Sequence, residues 1–342
     1  MDDADAREFA DAPLGQPRVT AGMRVEELVD AYAAAGGGAV YLAEAVDILT
    51  EMFDDASVTT VMGLAGAMVP TGMRTIVADL IADGLIDILV TTGATLTHDT
   101  IEAIGGAHHH GRPDPSSPHP TGDGHPDTAD RRAHDEQLRR EGVDRIYNVY
   151  LPQEHFAAFE RHLRAEVFPH FDGPTDIAAV TARLGEANLA VAPDARTAGI
   201  AAAAATHDVP VYCPAIQDSV LGIQAWMYSQ ISDFTLDALA DMTALSDRAF
   251  AAERAGAFVV GGGVPKNYTL QTMLTIPGAY DLGVQLTMDP EHTGGLSGAS
   301  LDEARSWGKL EPDARNATVL GDATITLPLV VAAARGRMTH NG

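Results

Sequence analysis

The chain of 342 residues carries 48 acidic and 22 basic side chains, a formal net charge of −26, and is 46% hydrophobic. A field of that sign repels phosphates, which disfavours nucleic acid and anionic membrane surfaces as partners, while the apolar fraction is that of a folded core rather than an acidic disordered tail. Surplus carboxylates also keep a surface hydrated in concentrated salt, so the charge reads as a halophilic adaptation.

Residues 1–22 hold Pro13 and Pro17, show no sustained period and read as a flexible arm. A single domain is expected over 23–342. VEELVDAYAAAG (25–36) and AVYLAEAVDILTEMF (39–53) follow, with apolar residues at helical spacing and Gly36–Gly38 between them. Short apolar runs then alternate with helical stretches. The runs are Val58–Met62, Ile86–Thr91, Leu189–Ala192, Val209–Cys213, Phe258–Val260, Asp281–Leu286 and Thr318–Leu320. The helical stretches include Thr71–Asp83, Glu154–Phe168, Ala195–Thr206 and Leu236–Ala255. Strands without a polar face, joined by helical crossovers, predict an α/β fold with a mostly parallel, doubly wound sheet. Ligands of such sheets bind at the carboxyl ends of the strands. One segment breaks the rhythm: 106–135 holds six of the 13 histidines and five prolines, and reads as a surface insertion rather than a metal site. The longest apolar run, about a dozen residues around Ile325–Ala334, falls short of the roughly 20 that span a bilayer. The acidic N-terminus has no apolar signal core, and the single cysteine, Cys213, allows no intrachain disulfide. A soluble, cytoplasmic protein is expected.

The basic residues are lopsided. Only two are lysines, Lys266 in GGGVPKNY and Lys309 in SWGKL; the rest are arginines. Arginine replaces lysine as a surface charge but not as a nucleophilic amine, because guanidinium stays protonated. A lysine with a lowered pKa forms imines with carbonyls or exchanges with them. Both lysines are therefore candidates for chemistry, against the alternative of two ordinary loop residues.

Several strand ends carry small residues. MGLAGAMVPTG (62–72), with Gly66 and Ala67, and TTGATLTHD (91–99), with Thr92, Gly93 and Ala94, would let a dinucleotide approach a helix N-terminus, although neither is GxGxxG. His98 and Asp99 are expected at the start of the helix after TTG. VVGGGVPKN (259–267) is a third such turn, containing Gly262. In GGLSGASLDEARSWGK (294–309), Asp302 and Glu303 sit at a helix start, and Trp307 lies two residues before Lys309. An indole face with carboxylates suits a cationic amine. Asp218 in CPAIQDSV and Asp322 in ATVLGDAT each follow a strand, where an acid commonly meets ribose hydroxyls.

Together TTGATLTHD, VPVYCPAIQD, GGGVPKN, GGLSGASLDEARSWGK and GDATITLPLVV resemble the deoxyhypusine synthase family over about residues 25–335. The SWGK box is highly specific; the glycine turns are not. The resemblance implies a Rossmann-like fold and a homotetramer with NAD and active sites shared across a dimer interface. It implies oxidation of spermidine by NAD and passage of the aminobutyl arm through an imine on Lys309. The arm then goes to one lysine of translation initiation factor 5A. Carried over residue by residue, Glu303, Trp307, Asn267, His98, Gly294 and Gly295 would hold the polyamine. Gly66, Ala67, Thr92, Gly93, Ala94, Asp218, Gly262, Asp322 and Ala323 would hold NAD, and no metal is expected.

The chain departs from the protein-modifying enzymes at polyamine positions. Asn267 stands for a histidine, Ile223 and Leu296 for acids, and Thr97 and His98 for paired glutamates. The PKNY, QLTMD and GGLSGA wording is similar to the deoxyhypusine-synthase-like branch, some members of which resemble homospermidine synthases and pass the arm to a small diamine. Agmatine is a further candidate donor. A non-catalytic NAD- or polyamine-binding paralogue and a plain NAD dehydrogenase are the rivals from other classes.

Overall fold

The computed structural model describes residues 13–111, 128–192 and 194–341. Residues 1–12 of the expected arm and 112–127 of the His/Pro-rich segment lie outside the described residues. In chain order the principal elements are α1 (Val25–Ala33), α2 (Gly38–Asp54), β1 (Val58–Leu64), α3 (Arg74–Ala82), β2 (Ile88–Thr91), α4 (Gly93–Ala103), α5 (Glu154–His162), α6 (Ile177–Val191), α7 (Ile200–Thr206), β3 (Val211–Tyr212), α8 (Val220–Ser229), α9 (Ala240–Ala251), β4 (Arg254–Val260), α10 (Gly263–Thr272), β5 (Tyr280–Thr287), α11 (Leu301–Ser306), β6 (Leu310–Leu320) and α12 (Ala323–Asn341). None of the described helices is long and apolar enough to cross a membrane.

The chain divides into two compact units. Residues up to Gly63 together with Arg248 onward form the first, and Leu64–Asp247 form the second. The stretch 23–342, read from the sequence as one domain, thus contains both.

The first unit carries β6, β5, β4 and β1 side by side in that order, with β4–β5 and β5–β6 parallel. All but the first residue of β4 and all but one of β5 are buried, which is why these strands read as unbroken apolar runs. Helix α2 buries Leu42, Ala45, Val46, Leu49, Met52 and Phe53, one stripe at three-to-four spacing, and Phe53 meets Phe258 of β4 edge-on at 6.5 Å. The strand expected at Thr318–Leu320 begins eight residues earlier, at Leu310. Its first part is polar and bulged, so no period announces it.

In the second unit β2 pairs in parallel with β3 through Leu89–Val211 and Val90–Tyr212. The run Leu189–Ala192, expected as a strand, is instead the end of α6 and the residue that follows it. Four apolar residues are too few to separate the two periods, and upstream Val180, Leu184, Ala187 and Asn188 lie buried on one helical face. The helix expected over Ala195–Thr206 breaks at Gly199, whose φ is +92°. A Cβ there would lie 2.1 Å from both Arg74 Nη2 and Asp99 Oδ1. The stretch Glu154–Phe168 is α-helical to His162 and then widens into a π turn over Leu163–Val167. Parallel strands joined by helices make this the α/β fold that the sequence predicts.

Candidate functional site

Both lysines lie in the first unit. Lys309 follows α11 in the turn Trp307-Gly308-Lys309, where Gly308 takes a φ of +68° that an L side chain rarely adopts. Three backbone bonds tie this turn to α11: Trp307 N and Lys309 N both donate to Ala304 O, and Gly308 N donates to Arg305 O. The Lys309 carbonyl accepts from Tyr280 N, anchoring the far side to β5. Lys309 Nζ stands 5.7 Å from the centroid of the Trp307 ring, a cation–π distance, and Trp307 itself is 62% exposed. The indole is therefore no core aromatic; it is a flat apolar face presented beside an amine.

Lys266 is the opposite case. It lies on α10 and is 1% exposed, among the largest fully buried side chains. Its ammonium donates to Gln285 Oε1 (2.9 Å), Leu296 O (3.0 Å) and Ala299 O (2.5 Å), so all three donors are used. Gln285, on β5, in turn donates to Ser297 O and Gly261 O. Thr287 also donates to Ser297 O, and Ser297 Oγ donates to Asp289. The loop carrying Gly294, Gly295 and Leu296 is thus pinned to the sheet from beneath. Burial pushes the Lys266 amine down to about 8; the Glu303 carboxylate pulls upward and the Lys309 ammonium pushes downward. Those couplings put Glu303 and Lys309 each within electrostatic reach of Lys266. Asn267 neighbours Lys266 on α10, and Gly294 takes a φ of +71° with open space where a Cβ would stand.

The glycine turns divide into two kinds. Gly262 is required by the protein itself, since a Cβ would lie 2.2 Å from Ser297 Cβ. Gly93 is similar: a Cβ would lie 2.1 Å from Ser219 Oγ, and Ser219 is the N-cap of α8. Gly66 (φ +89°) has only Met68 within contact, and Gly263 (φ +59°) has nothing within 4 Å. Helix α10 starts at Gly263 with no side-chain cap, which leaves its first N–H groups without a side-chain acceptor, donors of the kind that suit a phosphate. Asp322 caps α12, accepting from Thr324 N at 2.8 Å, and Ala323 is that helix's first residue. Its capping role supplies a structural reason for an acid at this position.

In the second unit Thr92 caps α4 by accepting from Thr95 N, and Ala94 is exposed in the first turn. Ala67 lies in a tight turn whose carbonyl accepts from Thr71. Asp218 is exposed in the turn between β3 and α8. His98 and Asp99 do not stand at the helix start, as the sequence predicts, but in its middle. TTG is itself the first turn, which moves everything after it inward. Asp99 is fully buried; it pairs with Arg74 Nε at 2.7 Å and accepts from Ile200 N and Ala201 N. His98 Nδ1 lies 2.9 Å from His108 Nε2, and His108 Nδ1 lies 2.7 Å from Glu102. Burial, reinforced by His108, lowers the pKa of His98 to about 4, so its ring is neutral at pH 7. Sequence reasoning missed Arg74, Gln285, His108 and Arg305. Only Gln285, an amide between the apolar Val284 and Leu286 of β5, carried a local signal.

The family model for deoxyhypusine synthase matches residues 27–334. A Methanosarcina mazei relative named "Probable deoxyhypusine synthase 1" is 46% identical over 340 residues, covering 99% of each chain. A Methanothermobacter thermautotrophicus relative, "Probable deoxyhypusine synthase", is 40% identical over 323 residues, covering 92% of this chain and 95% of the relative. A crystal structure described as a candidate deoxyhypusine synthase from Entamoeba histolytica superimposes with a TM-score of 0.60 at 16% identity, covering 92% of this chain and 94% of that one.

Proposed function

Because the chain belongs to the deoxyhypusine synthase family of transferases, we propose that it transfers the aminobutyl arm of spermidine through an imine on Lys309 to an acceptor amine. The observation that carries this reading is the Trp307-Gly308-Lys309 turn, which holds a primary amine 5.7 Å from an exposed indole face. The indole would hold the cationic donor by its π face and Glu303 would pair with an ammonium end, leaving Lys309 beside the carbon that accepts its nitrogen. Arginine at 309 would keep the charge and lose the reaction.

NAD bound to the chain would supply the acceptor for the donor's hydride and return that hydride to the product. In the first unit we assign its contacts to Gly262, Asp322 and Ala323, helped by the uncapped start of α10. For the second unit taken by itself, we carry Gly66, Ala67, Thr92, Gly93, Ala94 and Asp218 over from the family as residues suited to a dinucleotide. As in the family, the acceptor we favour is the lysine of translation initiation factor 5A. A small diamine is the second reading, and one observation favours it: His98, at a family carboxylate position, is neutral and tied to His108.

The test is borohydride trapping in high salt with NAD and spermidine, followed by the mass of the Lys309 peptide. An aminobutyl adduct is expected, absent in Lys309→Arg, and discharged by one acceptor when the factor or putrescine is added. No adduct with spermidine, agmatine or putrescine as donor would overturn the covalent reading.

A further inference from the structure

The β5–β6 ladder is irregular at one place. Tyr280 faces Leu310 and Leu282 faces Arg315, so two steps on β5 match five on β6, and residues 311–314 bulge out of register directly after Lys309. The carbonyls of a bulge lose their ladder partners and need others. One side chain supplies them. Arg305, on α11, donates through Nη1 to Glu311 O (2.8 Å) and Pro312 O (3.0 Å) and through Nη2 to Ala314 O (2.6 Å). Its Nε donates to Asp302 Oδ1 at 3.2 Å, and Asn316 of β6 donates to the same oxygen at 2.9 Å. A residue on the helix before the Trp307–Lys309 turn therefore grips the strand after it. The side chain is 28% exposed, and its planar fork puts Nη1 on two carbonyls and Nη2 on a third, a fixed geometry that the compact ammonium of a lysine at this position does not reproduce.

We propose that Arg305 is a positioning residue for the Lys309 reaction: by clamping α11 to the bulge it closes the turn into a rigid loop and sets where the Lys309 amine stands beside Trp307. This inference rests on the imine reading above. Arg305 touches no reacting atom, so it governs the rate at which Lys309 attacks and not the affinity for the donor. Displacement of a reacting group by about 1 Å is enough for a rate loss on the order of 100-fold.

The experiment compares wild type, Arg305→Lys and Arg305→Gln in the full chain with NAD and spermidine. Borohydride quenching at timed intervals gives the single-turnover rate constant for the Lys309 adduct, and steady-state assays give kcat and KM. The rate constant is independent of the fraction of active protein, so it separates mispositioning from partial unfolding. Arg305→Lys is expected to slow adduct formation about 10- to 100-fold at a KM within about threefold of wild type. Arg305→Gln loses the charge and part of the reach and is expected to slow adduct formation at least as much as Arg305→Lys, which retains a readout if the lysine variant does not fold. A wild-type rate constant in either folded variant, or a loss confined to KM or to the amplitude, overturns the inference. Absence of the adduct in wild type itself overturns the imine reading and the inference with it.

Discussion

Replacing Lys266 by methionine tests how a buried cation without a buried counter-ion is held. Methionine fills nearly the same volume but leaves Gln285 Oε1, Leu296 O and Ala299 O without their donor. Three charge-assisted hydrogen bonds at ~2 kcal/mol each are lost. Against that stands the cost of keeping an ammonium out of water: a fall from 10.5 to about 8 corresponds to ~3 kcal/mol that methionine no longer bears. The net expectation at pH 7 is a destabilisation of ~2–3 kcal/mol, with the 294–299 loop loosened. The pH dependence follows with a definite sign. The folded amine releases its proton at about 8 and the unfolded one at about 10.5, so between those values the unfolded chain binds more protons and wild-type stability rises with pH. The variant lacks this contribution, and the gap between the two proteins should widen by ~2 kcal/mol from pH 7 to pH 9.5. Urea unfolding of both proteins across that range measures it. A gap that stays flat, or a variant as stable as wild type at pH 7, would refute the reasoning.

Arg74→Met removes the cationic partner of the buried Asp99 carboxylate, which then keeps the Ile200 and Ala201 N–H groups. A loss of ~3–5 kcal/mol in thermal or urea unfolding is expected, partly recovered by Asp99→Asn in the same chain; a loss under ~1 kcal/mol would contradict a charged pair. His98 is depressed to about 4 against 6.5 unfolded, so the unfolded chain binds the extra proton between those values and stability falls as pH drops from 6.5 to 4, by at most ~3 kcal/mol. Imidazole nitrogen shifts should keep His98 neutral at pH 5, and a midpoint near 6.5 would sink the assignment.

Several features were decided by the chain order of residues alone. The buried parallel strands announced themselves because residues with no solvent face must be apolar throughout, so Phe258–Val260 and Asp281–Leu286 lie within observed strands. The scarcity of lysine singled out Lys266 and Lys309 because no arginine can act as a free amine. Sequence could not tell the two apart. Burial and three acceptors make Lys266 a fastener, and that depends on residues 285, 296 and 299 arriving from elsewhere in the chain, while the half-buried Lys309 stands beside the exposed Trp307 ring. The glycines show the same limit. At Gly93 and Gly262 the missing side chain makes room for Ser219 and Ser297 of the chain itself, over a hundred residues away in one case, a need that no local pattern shows. The Leu310 start of β6 and its bulge were hidden because their hydrogen bonds go to the Arg305 side chain, and a strand whose partner is a guanidinium leaves no period in the sequence. Local pattern records which face of an element is buried; only the folded chain determines what stands against it.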